Sequence, residues 1–298
     1  MKKLKNALFV LFVSVAVASC SSDDGEPVNN GNNPINEDDY FNYTIDGEEQ
    51  DMVSWIAQRS EGSFAVSGTS ASGRVVELQF NQWGNVGDVM TLSDDFEIPW
   101  RNNYHYFRSN YFDFELVSID EVNKKVKVNF SGKVYDEEYD INSDFSTIEG
   151  SFVVTYTNVT PVVAGLGVSA TVDGEEWHDS DGDQSGGFFS GEDLTINASN
   201  DSKYTIGIVT NHDTTETGEY TFGPGDSSNK MKLFVYNTET HYEEEWTTVS
   251  GTMEITEKTV GMQLTILAGT FSFTAENPET GETVTISNGA FKKAYSNY

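Results

Sequence analysis

Hydrophobic and polar residues alternate along most of this chain. In residues 148–158, IEGSFVVTYTN, the side chains of Phe152, Val154 and Tyr156 share one side of an extended segment, with Thr155 opposite. Residues 267–277, LAGTFSFTAEN, repeat that texture, with Phe271, Phe273 and Ala275 on one side and Thr274 on the other. Successive side chains of a strand point to opposite faces, so a period of two predicts a half-buried strand. Gly150 and Gly269 punctuate the start of each.

The same alternation predicts strands from end to end. Residues 41–46 (FNYTID) and 168–173 (VSATVD) open two similar regions, each followed by glycine. Asp-Gly between alternating segments predicts a tight hairpin, because glycine readily takes positive φ. Hairpins follow at 64–69 with 74–80 and at 194–199 with 204–209; short strands come next at 89–92 and 220–222. Residues 111–119 are expected to pair with 126–135, and 230–236 with 246–255. Laid over each other without a gap, 127–158 and 246–277 match in glycines, aromatics and alternation, which predicts two copies of one module. In that alignment the strand at 282–287, and residues 289–295 after it, have no partner in the first copy. No segment has the period of an amphipathic helix. The expectation is an all-β chain with two tandem antiparallel β-sandwich or small β-barrel domains, residues 40–160 and 168–298, joined by a Pro/Gly break at 161–167.

The front end departs from this pattern. Residues 1–19 have a basic start at Lys2, Lys3 and Lys5, an apolar run and small residues before Cys20, as in a secretory signal peptide. Val17-Ala18-Ser19-Cys20 resembles a relaxed lipobox, which makes Cys20 a lipidated N-terminus. Ser21-Ser22-Asp23-Asp24 resembles the Ser/Asp-rich export signal of some Bacteroidota lipoproteins, so the expected location is the outer membrane, facing the cell exterior. Residues 20–39 are read as the lipidated cysteine and a flexible acidic linker. Cys20 is the sole cysteine of the 298 residues, so no disulfide forms within one chain. The net charge is −31. An acidic surface of that size repels phosphate, so nucleic acid is not an expected partner.

Few residues point to chemistry. His178-Asp179-Ser180-Asp181-Gly182-Asp183 places carboxylates at alternate positions, and Asp179, Asp181 and Asp183 are candidate calcium ligands. The EF-hand pattern fails beyond them: Gln184 stands where glycine is needed and Ser190 where glutamate is needed. A solvated loop is therefore the favoured reading, and no cofactor is expected. Residues 100–112, WRNNYHYFRSNYF, combine aromatics with amide and guanidinium donors. Trp100, Arg101, Tyr104, Tyr106 and Arg108 are the candidate ligand-binding residues, suited to an extracellular glycan or a surface protein. Packing within a sheet is the favoured reading of the segment. None of the four histidines lies in a metalloprotease motif, and no nucleophile elbow or phosphate-binding loop occurs.

Residues 269–291, GTFSFTAENPETGETVTISNGAF, together with 170–177, ATVDGEEW, resemble a domain family of unknown function found in Bacteroidota lipoproteins. The first region departs from that pattern: Gln50 stands in place of Trp177. The resemblance implies a β-rich module in a lipoprotein and no catalytic residues. The expected role is non-catalytic binding or envelope structure, with glycan binding as the alternative. A secreted glycan hydrolase is a further alternative, since paired carboxylates can always be assembled from 48 acidic residues.

Overall fold

The structure is a computed structural model that describes residues 34–93, 99–180, 187–190, 192–226 and 228–296. The signal segment, Cys20, most of the linker, Asp181 and Asp183 lie outside the described residues. Among those described there is no α-helix, and one 3-10 turn spans Arg108–Asn110. The chain forms two antiparallel-rich β domains, as its alternation predicts.

The N-terminal domain contains β1 (Tyr40–Ile45), β2 (Glu48–Glu49), β3 (Met52–Ser60), β4 (Ser63–Ser70), β5 (Arg74–Asn81) and β6 (Val86–Ser93). It continues with β7 (Arg101–Asn103), β8 (Phe112–Asp120), β9 (Lys125–Tyr135), β10 (Phe145–Thr155) and β11 (Thr157–Asn158). Their order is β11-β3-β4-β5-β6-β7-β9-β10-β1-β2, with β8 also beside β9. β10 runs through Tyr156 into β11, which pairs in parallel with β3 at Gln58 and Arg59, so the far end of the sheet returns to its beginning. Alternation is strict in β4, where every second side chain is buried.

The C-terminal domain contains β12 (Gly167–Val172), β13 (Glu175–His178), β14 (Phe188–Ser190), β15 (Asp193–Ser199) and β16 (Tyr204–Asn211). β17 (Gly218–Phe222), β18 (Lys230–Asn237), β19 (Tyr242–Val260), β20 (Leu264–Glu276) and β21 (Thr283–Ser296) complete it. β19 is the long strand that links its two layers. Its first residues pair with β18, and the remainder pairs with β20 and β17. This corrects the expected hairpin of 230–236 with 246–255: β18 pairs with 242–246, because the chain already turns back at His241, whose φ is 60°. Irregularities at Thr248/Ser250 and Ile255/Glu257 bend the strand between layers, as bulges do.

Each domain has its own core. Phe41, Phe64, Leu78, Val128 and Phe152 belong to the first, and Trp177, Ile196, Leu233, Trp246 and Phe291 to the second. Residues 34–39 correct one expectation, because they do not extend freely as a linker. Ile35 is buried and its N–H donates to the Asp120 carboxylate (2.8 Å), while Lys125 and Lys127 hold Asp39 and Glu37.

The gapless alignment of 127–158 on 246–277 is displaced by one strand. β1 pairs with β10, and β12 pairs with β21, so the closing strand of the second domain does have a counterpart. Asp46 and Asp173, each ahead of a glycine with positive φ, give a structural frame for comparing the two domains. The Asp46 N–H donates to the Thr147 carbonyl and the Thr147 N–H returns to the Asp46 carboxylate; Asp173 and Thr285 do the same. TIEGSFVVTY at 147–156 therefore lies over TISNGAFKKAY at 285–295, with Asn288 (φ 51°) as the extra residue. β8 and β9 then correspond to the later part of β19 and to β20, and matching register breaks fall at Leu116/Ser118 and Ile255/Glu257. A glycine and an aromatic ring face each other across these strands. The Phe130 ring fills the place of a Gly150 side chain, and the Phe271 ring that of Gly289.

In this frame Lys293 falls where the first domain has Val154, and Asp179 falls six residues after its Asp-Gly turn, where the first domain has Met52. Lys293 and Asp179 form an ion pair at 2.6 Å with side chains 2% and 0% exposed. A buried charge that loses its partner is costly, whereas replacing both by apolar groups is often neutral. Asp179→Ala or Lys293→Ala is expected to destabilise the protein by about 3–5 kcal/mol. Asp179→Met with Lys293→Val is expected to fall within about 1 kcal/mol of the parent or above it. Urea unfolding checks this, and a double variant as weak as the single ones would contradict it.

Candidate functional site

The two sheets share no strand pairing among the described residues, yet they meet at a junction built by three loops. The first is the turn between β5 and β6. Asn81 is buried, and its carbonyl oxygen Oδ1 accepts the N–H groups of Trp83 and Asn85 at 3.0 Å each. Its Nδ2 donates to the Asp179 carbonyl of the other domain at 3.1 Å. With the turn braced this way, the Trp83 indole lies flat on the His178 imidazole, centroids 3.8 Å apart and planes within 4°. Burial pushes the imidazole pKa below its usual value, and the nearby Glu176 carboxylate opposes that only in part.

The second loop is the 200–203 turn between β15 and β16, whose tip enters the N-terminal domain. The Asp201 carboxylate accepts Asn85 Nδ2 at 2.8 Å and the Val86 N–H at 3.4 Å. The Asp201 carbonyl accepts the Ser109 N–H at 2.9 Å and the Ser109 hydroxyl at 2.8 Å. Burial raises the Asp201 pKa, and its hydrogen bonds and the Arg108 charge offset part of that.

The third contact is aromatic. Tyr104, Tyr135 and Tyr236 form a small core of their own, with Tyr106, Phe107 and Tyr111 packed against it. Tyr236 comes from β18, and the others come from the N-terminal domain. The Tyr236 hydroxyl donates to Tyr104 at 3.2 Å, meets the Tyr111 hydroxyl at 3.2 Å and lies 3.0 Å from His241 Nδ1. Burial raises the Tyr236 pKa. The Tyr106 ring stacks on the Tyr236 ring at 5.8 Å.

The residues 100–112 segment is thus largely the junction itself. Tyr104 and Arg108 are each 1% exposed. The Arg108 guanidinium donates to the Asn200 carbonyl of the other domain and to Asp88. These two side chains are not on a ligand-facing surface, and strand pattern alone does not show a second domain lying over them. Tyr106 is half-buried. Arg101 is occupied by Asp136 at 2.6 Å and by the Ser146 hydroxyl, and Trp100 stands 65% exposed. Asp179 faces Lys293 rather than solvent, and Asp181 and Asp183 lie outside the described residues. Among the described residues no group of three His, Cys, Asp or Glu is close enough to hold a metal ion.

Sequence reasoning passed over Asn81, Trp83, Asp201 and Tyr236. Trp83 carried a usable signal: a tryptophan in a short turn between strands has no inward face of its own sheet to occupy. Separately, a concave surface of about 730 Å³ lies on the N-terminal sheet, lined by Asn42, Thr44, Glu115, Asn129, Ser131 and Ser151 among others. Asn129 donates to Glu115 there at 2.7 Å.

Tyr236→Phe removes the hydroxyl on which three polar groups of the junction converge. A buried group left without its partner costs about 1–3 kcal/mol. The variant is expected to lose stability in that range with an unchanged far-ultraviolet dichroism spectrum; an unmoved urea midpoint would contradict the role assigned to the cluster.

In comparison with known proteins, no curated protein matches the chain. The span from β12 into β21 does match a family model: residues 167–294 match the model of a domain of unknown function (DUF6252).

Proposed function

We propose that this chain is a surface-exposed outer-membrane lipoprotein in which two copies of one β module act together as a non-catalytic binding unit. The observation that carries the location is Val17-Ala18-Ser19-Cys20 behind an apolar run, followed at once by Ser21-Ser22-Asp23-Asp24. Diacyl or triacyl modification of Cys20 gives stable anchoring, at about 0.8 kcal/mol per buried methylene. The matched registers and the paired Asp46–Thr147 and Asp173–Thr285 hydrogen bonds support the reading of two copies, the first being the diverged one. A binding role is supported by the exposed Tyr139 ring, which packs on Tyr106 beside a junction whose polar groups hold the two domains together.

The second reading is a glycan-binding accessory lipoprotein. It is favoured by the amide and hydroxyl lining of the concave surface on the N-terminal sheet and by exposed Trp100. Trp100→Ala and Asn129→Ala are expected to abolish binding to a polysaccharide panel on that reading, and unchanged isotherms would exclude it.

Protease treatment of intact cells tests the location. The chain is expected to be cleaved while the envelope is whole, and Cys20→Ser is expected to lose its acyl mass and leave the membrane fraction. A chain protected until the envelope is broken, or a variant that keeps its acyl mass, would overturn the proposal.

A further inference from the structure

The outer face of the N-terminal sheet carries an ordered set of short polar side chains. Strand register places Asn42, Ser151, Asn129 and Glu115 in one row across β1, β10, β9 and β8, and Thr44, Glu149, Ser131 and Asp113 in the next. Their strand neighbours Tyr43, Phe130 and Ile148 belong to the core, so these rows face away from it. They line the concave surface of about 730 Å³. A second concavity of about 640 Å³, lined by Asn110, Tyr111, Lys133 and Thr147 among others, shares Ser131 and Glu149 with the first. The two therefore form one trough, each part within the range of small-molecule sites, about 300–1,000 Å³.

The second domain keeps the packing beneath this face but not the face itself. Phe271 fills the place beside Gly289 as Phe130 does beside Gly150. In the frame of Asp46 and Asp173, Asp113 stands where the second domain has Thr252, and Glu149 where it has Ser287. Asn129 stands where it has Thr270, and Ser151 where it has Ala290. Small side chains thus satisfy the strands at these places, and packing does not call for the carboxylates or the amide. The Asp113 and Glu149 carboxylates accept no hydrogen bond from the described residues, while Glu115 holds the Asn129 amide at 2.7 Å. Carboxylates that accept, an amide, and the hydroxyls of Thr44, Ser131 and Ser151 match what a ligand rich in hydroxyl groups needs. Hydrogen bonds to the ionised acceptors are the stronger kind.

The charges of the lining narrow the class. Asp113, Glu115 and Glu149 are acidic, and the cation of the lining, Lys133, has its ammonium 3.9 Å from the centroid of the Phe145 ring. A sugar acid entering the trough meets these carboxylates and a chain of net charge −31, and is repelled. We infer that the trough across β1, β10, β9 and β8 binds a neutral oligosaccharide, with Asp113, Glu149 and Asn129 pairing with its hydroxyl groups. The inference rests on the second reading given above, glycan binding, and names the class of glycan and its seat. The continuity of the two concavities fits a chain of sugars better than a single one.

The test is calorimetric titration of the mature full-length chain. The probes are cello-, xylo-, manno- and laminari-oligosaccharides, from monosaccharide to hexasaccharide, and oligogalacturonate. At least one neutral series is expected to bind saturably, its hexasaccharide at least about tenfold more tightly than its monosaccharide and than oligogalacturonate. Asp113→Thr with Glu149→Ser installs the residues of the second domain at the same places in the fold, on an outer face. This double variant is expected to keep its urea midpoint and to lose about tenfold or more in affinity. If no sugar binds, the glycan reading fails and the inference with it. If neutral sugars bind but the double variant keeps its affinity, or oligogalacturonate binds as tightly, the glycan reading stands and the trough assigned here is overturned.

Discussion

The arrangement of this molecule depends on how the 200–203 turn of one domain enters the other. Four hydrogen bonds from the N-terminal domain end on Asp201, two on its carboxylate and two on its carbonyl. A carboxylate taken out of water needs such partners, because an unpaired one is costly to bury. Arg108 lies beside it, also buried, and donates to the neighbouring Asn200 carbonyl. The Trp83–His178 stack and the Tyr236 cluster flank this polar plug on apolar ground. These cross-domain hydrogen bonds form in one relative placement of the domains, so the junction selects an orientation as well as holding one.

Much of the fold was legible in the sequence. Alternation predicted the strands, and the Asp-Gly pairs predicted the first turn of each domain, with Asp46 and Gly47 at φ 52° and 80° and Asp173 and Gly174 at 49° and 91°. The frame of the internal match was not legible. Glycine and phenylalanine face each other across several neighbouring strands, at Gly150 and Phe130, at Gly132 and Phe112, and at Gly289 and Phe271. Neighbouring strands of one sheet therefore look alike, and a gapless alignment slides by one strand at little loss. Hydrogen-bond register separates the alternatives, because Asp46 and Asp173 each choose a single threonine partner.

The candidate site was legible by location, and for Tyr104 and Arg108 packing is what the structure shows. Residues 100–112 are where the sequence concentrates aromatics, and the junction is there. Whether a given side chain meets solvent or another domain depends on distant residues, such as Asn200, 92 positions after Arg108, and Tyr236, 132 after Tyr104. Local pattern carries no information about that contact. The result is a division of labour along one segment. Tyr104 and Arg108 are buried to join the domains, Tyr106 is half-buried, and Trp100 faces outward.

The central claim is that the two β domains move as one body. Residual dipolar couplings measured on backbone amides of both sheets test it most directly. The account predicts that couplings from β4, β5, β9 and β10 and from β15, β16, β20 and β21 fit a single alignment tensor with the relative orientation described here. Two tensors of different magnitude, one for each sheet, would show domains that tumble independently and would contradict it.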